Sequence, residues 1–265
     1  IPTEITSNIG DSNIVAISAG GYHSLFLDEN GNVYSCGNGY YGLLGHGNIS
    51  SCNIPTKIDS LSNIVAISAG KFHSLFLDEN GNVYSCGDGE YGRLGLVDEY
   101  DCNIPTKIND FFDFNNTAIS PKPNIVAISS GVNHSLFLDK NGNAYSCGNN
   151  TDYGQLGRSN YLSQRAHHLL DYLYHYSPKP TKINTINIGD SKIIGICAAG
   201  YCSLFISADV GTESSPASLG GGGDGVQDSS SPGKALSGGG GSGGAIGEYE
   251  GGKGGSGIVL LKYNT

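Results

Sequence analysis

The chain has no methionine, only 14 lysines and arginines against 24 aspartates and glutamates, and no cluster of basic residues anywhere. Each shortage excludes something. Affinity for DNA or RNA rests largely on cationic contacts to phosphate, so a formal net charge of −10 with scattered cations argues against a nucleic-acid partner. No apolar run approaches the roughly eighteen residues that a helical bilayer crossing requires, so no membrane span is expected. With Ile1 in first place and methionine absent throughout, the expectation is a chain that has lost an N-terminal segment, such as a signal peptide, or been cut from a longer one. Chemistry is scarce as well. No paired carboxylates, no nucleophile beside a base and no G-x-S-x-G elbow stand out, so the chain reads as non-enzymatic and no cofactor is implied.

What the chain does have is repetition. NIVAISAGGYHSLFLDENGNVYSCG runs from Asn13, NIVAISAGKFHSLFLDENGNVYSCG from Asn63 and NIVAISSGVNHSLFLDKNGNAYSCG from Asn124, and a degraded fourth copy, KIIGICAAGYCSLFIS, starts at Lys192. Spacings of 50, 61 and 68 residues fall in the range of propeller blades or solenoid turns. Within a unit, a proline opens a short edge strand at Ile54–Ile58. Ile64–Ala69 is β-branched and alternating, and His73–Asp78 places Leu75 and Leu77 on one face with Phe76 on the other. Asn80-Gly81 supplies the pair of positive φ values that a type I′ hairpin needs, with Val83–Cys86 as the returning strand, and Asn30-Gly31 and Asn141-Gly142 repeat it. Four short antiparallel strands cannot bury both faces alone and must stack on neighbours. The predicted fold is all-β: a propeller-type array of about four repeats, three complete and one truncated, over residues 1–207. A glycine-rich segment over 208–257 and a terminal strand over 258–265 follow.

These units resemble the repeat of the regulator of chromosome condensation family. The resemblance rests on G-x-x-H-S-L, then N-G-x-V-Y-S-x-G, then G-x-L-G. Its elements are Gly20, His23, Ser24, Leu25, Asn30, Gly31, Val33, Tyr34, Gly37, Gly42, Leu44 and Gly45. They recur as Gly70, His73, Asn80, Gly81, Gly87, Gly92, Leu94 and Gly95, and as Gly131, His134, Asn141, Gly142, Gly148, Gly154, Leu156 and Gly157. The family forms closed rings of about seven blades, whereas this chain holds three full units and a fourth with Cys202 where the histidine belongs, so a complete ring within the chain is not expected. Cys36, Cys86 and Cys147 replace the family's aromatic of the last strand, which implies a smaller core there. The resemblance also implies a partner, a small GTPase of the Ran type whose nucleotide release is promoted.

Two insertions interrupt the array: Asp110–Pro123, with Phe111, Phe112 and Phe114, and Arg158–Pro180, with Leu162, Leu169, Leu170 and Leu173 at loosely helical spacing. They either carry binding function or cover an exposed blade edge. In Gly211–Gly257, 19 of 47 residues are glycine, which reads as a flexible linker unless neighbours hold it. The ending GGKGGSGIVLLKY resembles glycine-rich C-terminal segments of virion, tail-fibre and cell-surface proteins.

Candidate ligands carry less. His23, His73 and His134 sit at one place in successive units and read as structural, bonded to backbone within their own repeat, rather than as a metal set. His167, His168 and His175 lie together without a cysteine or carboxylate at fixed spacing. Asp28–Asn32 has the start of a calcium loop, but Gly39 stands where the closing acid belongs. GEYEGGKG at Gly247–Gly254 lacks the hydroxyl residue of a phosphate loop. No metal site is assigned. Cys36 and Cys52 recur in register as Cys86 and Cys102, and Cys197 and Cys202 lie five apart. These six are either disulfide partners in an oxidising compartment or buried small residues copied with the repeat. Asn48, Asn115 and Asn149 open N-x-S/T triplets that are glycan sites if the chain is secreted.

The leading functional reading is a non-enzymatic structural or surface scaffold, at a virion or extracellular location. It would assemble with copies of itself or other structural subunits through repeat edges and the glycine-rich tail. The alternatives are the exchange-factor role and a secreted inhibitor or adhesin.

Overall fold

The computed structural model describes residues 9, 12–150, 154–158, 176–184 and 192–208, together with the backbone of 258–263. The strands are β1 (Ile14–Ala19), β2 (His23–Asp28), β3 (Val33–Gly37) and β4 (Cys52–Lys57). They continue as β5 (Ile64–Ala69), β6 (His73–Asp78), β7 (Val83–Gly87), β8 (Cys102–Lys107), β9 (Ile125–Ser130), β10 (His134–Asp139), β11 (Ala144–Asn149) and β12 (Tyr176–Lys182). The last are β13 (Ile193–Ala199), β14 (Cys202–Ala208) and β15 (Ile258–Tyr263). Each set of four from β1 to β12 is an antiparallel meander, so blades 1 to 3 are four-stranded sheets. The fourth sheet has the order β13-β14-β15, and β15 joins it parallel to β14, unlike any strand of the first three blades. The array is open: sheets stack as an arc, not a ring.

Stacking gives every blade a forward face, toward the next unit, and a backward face. Leu25, Leu27 and Val33 of blade 1 meet Phe76, Cys86, Ile67 and Tyr84 of blade 2. Leu75, Leu77 and Val83 meet Phe137, Tyr145, Cys147 and Ile128, and Leu136, Leu138 and Ala144 meet Phe205 and Ile196. Alternation along β6 therefore puts its leucines and Phe76 against different neighbours, and both faces are buried. Each wholly buried leucine or phenylalanine contributes about 1.5–3 kcal/mol, which is why a unit that cannot fold alone is stable within the stack.

The tight turns differ from expectation. Only the glycines of the Asn-Gly pairs have positive φ, 77° at Gly31, 78° at Gly81 and 84° at Gly142. The loop is three residues long, a type I turn closed by a left-handed glycine, not type I′. The cause is the buried aspartate before it. Asp78 Oδ1 accepts the N–H of Asn80 at 3.0 Å and of Asn82 at 2.8 Å, while Oδ2 accepts Asn82 Nδ2 at 2.8 Å. Asp28 and Asp139 do the same in their blades. Pro55 and Pro105 lie inside β4 and β8 and do not open them; each strand is the outermost of its sheet, where a missing N–H costs no ladder bond.

The first insertion does cover an edge. Phe112 pairs with Thr181 of β12, its N–H donating to Pro180 O and its carbonyl accepting from Lys182 N, both at 2.8 Å. Phe111 enters the core edge-on to Phe137 and Tyr145, at 5.6 and 5.3 Å between ring centres. The second insertion is shorter than expected, because Tyr176–Pro180 belong to β12; its leucines, and the glycine-rich segment, lie outside the described residues.

Burial pushes the Asp28 and Asp78 carboxyls up, but the bonds from Asn32 and Asn82, and then from the backbone of Asn30 and Asn80, outweigh it and hold both below the ordinary carboxylate range. Asp78→Ala is expected to lower unfolding free energy by about 2 kcal/mol in denaturant titration. The wild-type contribution is present above about pH 4 and lost as pH falls through the depressed native values; an unchanged midpoint in the variant would show the turn does not depend on this carboxylate.

Candidate interaction surfaces

The repeat histidine joins blades. His23 Nε2 lies 2.7 Å from Ser74 Oγ, and Ser74 Oγ donates to Leu43 O at 2.9 Å. His73 reaches Ser135 at 2.8 Å, and Ser135 donates to Arg93 O at 2.7 Å. His134 reaches Ser203 at 3.1 Å, and Ser203 donates to Gln155 O at 2.6 Å. A serine hydroxyl has one proton, and here it goes to the carbonyl, so the oxygen accepts and the histidine carries its proton on Nε2. Nδ1 is left buried without a partner in all three. The histidine is thus bonded to a serine of the next repeat, not to backbone in its own, and the three rings stand one per blade.

The glycine of G-x-x-H has a steric cause. A Cβ on Gly20 or Gly70 would stand 2.7 or 2.6 Å from Cε1 of its own histidine, and one on Gly131 closer still. A second seam runs beside the first. Ser18 Oγ accepts Ala69 N at 2.9 Å, Ser68 Oγ accepts Ser130 N at 3.0 Å and Ser129 Oγ accepts Ala198 N at 2.8 Å. The later glycines serve the same contact: Gly42, at φ 82°, lies against Asn103 of the next blade's outer strand, and Gly92, at φ 70°, against Pro178. The seam serines were visible as part of the motif, but their role was not.

Blade 2 adds a buried ion pair. Arg93, 1% exposed, holds Asp88 at 3.0 Å and the exposed Glu90 at 3.2 Å, and its guanidinium lies 5.4 Å from the Phe72 ring centre and 5.5 Å from that of Tyr91. Burial pushes Asp88 above the ordinary carboxylate range despite the Glu90 N–H and Arg93, and lowers Arg93 despite both acids. Blade 1 has Asn38 and Leu43 at these positions, and Asn38 Oδ1 accepts Tyr40 N as Asp88 Oδ1 accepts Glu90 N.

The cysteine pairing expected as one alternative is not present: all seven are free thiols. Cys86 and Cys147 are buried between blades, their Sγ atoms 3.7 and 3.6 Å from Leu43 O and Arg93 O. Burial pushes the Cys147 thiol up to about 12 and Cys86 up further. Cys52 and Cys102 turn to threonine hydroxyls of their own strands, at 3.1 and 2.9 Å. Cys202 sits opposite Ala199, so Cys197 lies diagonal to it across the hairpin, a poor disulfide geometry. Cys36 is half-buried. Asn48 and Asn115 are exposed, but Asn149 is buried at the end of β11 and is not an accessible glycan acceptor. His167, His168 and His175 lie outside the described residues; among those described, no group of three metal-ligating side chains forms.

The Regulator of chromosome condensation (RCC1) repeat matches residues 30–77 and 80–138, and a second description of the same repeat matches 14–43, 64–93 and 125–155, together just over half the chain. The chain belongs to the RCC1 repeat family. Prp20p from Saccharomyces cerevisiae superposes with a TM-score of 0.60 at 25% identity, over 76% of this chain and 44% of that one. Yeast RCC1 (Prp20) in complex with Kap60 gives 0.60 at 26% identity, over 78% and 43%. The E3 ubiquitin-protein ligase HERC2 of Homo sapiens is 51% identical over 47 residues, 18% of this chain and 1% of that protein. The inhibitor of Bruton tyrosine kinase of Mus musculus is 46% identical over 41 residues, 16% and 3% respectively. This RCC1-repeat chain therefore spans less than half of the solved relatives and a few per cent of the curated ones.

Burial lowers His23 and His134 to about 4, and His73 well below its usual 6.5, with Arg93 adding to the effect. Native histidines stay neutral while unfolded ones protonate, so stability is full above about pH 6.5 and falls toward pH 4. The three together give a slope of up to about 4 kcal/mol per pH unit near pH 5. His23→Gln is expected to remove about a third of that slope in denaturant titrations across pH 4.5–7; an unaltered slope would show that the ring already titrates normally. Arg93→Leu leaves the Asp88 carboxylate buried without its partner and is expected to cost about 3 kcal/mol, while Asp88→Asn/Arg93→Leu, which recreates blade 1, recovers at least half. A double variant as unstable as the single one would contradict this.

Proposed function

We propose that this chain is a non-enzymatic protein-interaction scaffold whose partner docks on the backward face of blade 1. The observation that carries the reading is an inequality between equivalent residues. Ile17 is 75% exposed, whereas Ile67, Ile128 and Ile196 at the same place pack into the inter-blade cores. Phe26 is half-buried, whereas Phe76, Phe137 and Phe205 are buried. Ser24 is half-buried, whereas Ser74, Ser135 and Ser203 are wholly buried under a histidine. An apolar face of this kind marks an interaction site.

Family membership supports a protein partner without naming it. The yeast relative Prp20 has binding properties toward Gsp1p and histones, and the same protein is bound by Kap60. A small GTPase is the second reading, favoured by that likeness.

If the face is open for a partner, Ile17→Asp leaves stability within about 0.5 kcal/mol of wild type while Phe76→Ala, inside the stack, costs about 3–5 kcal/mol. In affinity capture, proteins retained by wild type and by an Asp59→Ala control are expected to be lost with Ile17→Asp. An Ile17→Asp chain that melts early, or retains the same proteins, would contradict the reading.

A further inference from the structure

The first two repeats are nearly one sequence, and their differences fall in one place. Over 46 aligned positions, 13–58 against 63–108, eleven differ: two are Lys71 and Phe72 for Gly21 and Tyr22, and nine lie in the loop 88–101. Even the first two adjoin that loop, since the Phe72 ring centre is 5.4 Å from the Arg93 guanidinium. The strands and both seams are the same in the two repeats, so the stack does not require these differences. Their direction is uniform. Asp88, Glu90, Asp98, Glu99 and Asp101 stand where blade 1 has Asn38, Tyr40, Asn48, Ile49 and Ser51. Arg93 answers Asp88 and Glu90, and Glu99 accepts the Tyr176 hydroxyl. Asp101 Oδ1 accepts Gly89 N at 3.1 Å, but Ser51 Oγ does the same for Gly39 N at 3.2 Å without a charge. The charges of Asp98 and Asp101, both exposed, are therefore not spent on the fold, and Tyr100 between them is 80% exposed.

A groove opens under this loop. It has a volume of about 280 Å³, with Leu96, Val97, Asp98 and Tyr100 on one side and β8, followed by Asp110, on the other. Position 96 is what opens it. In blade 1 the His46 ring spans the equivalent place, its Nε2 3.0 Å from Ser35 Oγ and 3.2 Å from Thr56 O, and in blade 3 Arg158 bonds Ser146. Leu96 instead packs on the core between blades 2 and 3, and Thr106 is exposed where Thr56 is half-buried. Small-molecule pockets run to about 300–1,000 Å³, so this groove suits a side chain better than a cofactor. Its wall is apolar at Leu96 and Val97, while Asp101 precedes β8 and Asp110 follows Lys107 at its far end, the one cation of the lining. An arginine or lysine needs both surroundings, one for its stem and one for its charged head. Among the described residues no three metal-ligating side chains converge, so separated cations match this rim and a single metal ion does not.

We propose that the groove along β8 is a docking site for an extended, arginine-rich segment of a partner protein, whose guanidinium groups pair with Asp98, Asp101 and Asp110 and stack on Tyr100. The chain's net charge of −10 draws such a segment in. This surface is separate from the backward face of blade 1.

Fluorescence anisotropy with a labelled Arg-Gly decapeptide, in about 0.1 M salt, tests this. Leu96→His/Val97→Gly/Asp98→Asn/Glu99→Ile/Tyr100→Ser/Asp101→Ser gives blade 2 the loop with which blade 1 already folds, and is expected to weaken binding at least about tenfold. Glu29→Gln/Asp59→Asn/Glu79→Gln removes as many charges elsewhere and is expected to stay within about twofold of wild type. Should the loop variant fail to fold, Asp98→Asn/Asp110→Asn is expected to weaken binding about fivefold. Equal weakening by the loop variant and the charge control would show attraction to net charge alone and overturn the proposal. So would a wild-type chain that does not bind the peptide, or that binds its Glu-Gly counterpart as well. Ile17→Asp is expected to leave peptide binding unchanged, so this site and the blade 1 reading fail separately; a loss there would place the peptide on blade 1 and overturn the site on β8.

Discussion

One hydrogen-bond relay holds this fold in register: a histidine at the corner of one blade, a serine on the next, and a carbonyl in the loop that returns over both. Because the serine proton is committed to the carbonyl, the histidine must carry a proton on Nε2, and burial, with Nδ1 unpartnered, keeps the ring neutral. That couples three segments far apart in sequence, such as His23, Leu43 and Ser74. The glycines of G-x-x-H and of the G-x-L-G loop are the clearance this joint needs, and the two serine seams fix the sheets' separation and slide. The cysteines at 86 and 147 fit the same frame, being small enough to lie under the loop carbonyl of the preceding blade.

A joint repeated between neighbours makes stability nearly one-dimensional: each interface is worth about the same, and interior blades contribute two while terminal ones contribute one. The first and fourth repeats differ in the groups they present. One end keeps every receiving group, and the other has exchanged histidine, glycine and serine for Cys202, Ala199 and Cys197. The departures of the fourth repeat are thus more than decay in length. Those three fall on the side that faces away from blade 3, while the turn aspartate of the other repeats is also lost, to Ser207, and a parallel β15 stands beside β14.

Much of this was legible in the residues. Three nearly identical sentences with alternating apolar residues and Asn-Gly pairs give the strands, their order and the stacking. The turn type was not legible, because Asn-Gly fits two hairpin loops and the choice rests on the buried carboxylate of Asp28, Asp78 or Asp139. Nor was the histidine's partner, since a residue bonded to the equivalent place in the next repeat has the same periodic spacing as one bonded within its own. The signal lay in the fourth copy, where Ser203 survives the loss of its neighbouring histidine, as a receiving group must. Register of Cys36 with Cys86 and of Cys52 with Cys102 follows from duplication alone and carries no pairing. Asn149 looked like a glycan acceptor because a triplet carries no information about burial.

The account depends on neutral histidines that give their Nε2 proton to the next blade. Nitrogen-15 NMR of the imidazoles of His23, His73 and His134 reads this directly. The account predicts the Nε2–H tautomer at all three, with no protonation between pH 7 and pH 5. Nδ1–H resonances, or titration near pH 6.5 in the folded protein, would contradict it.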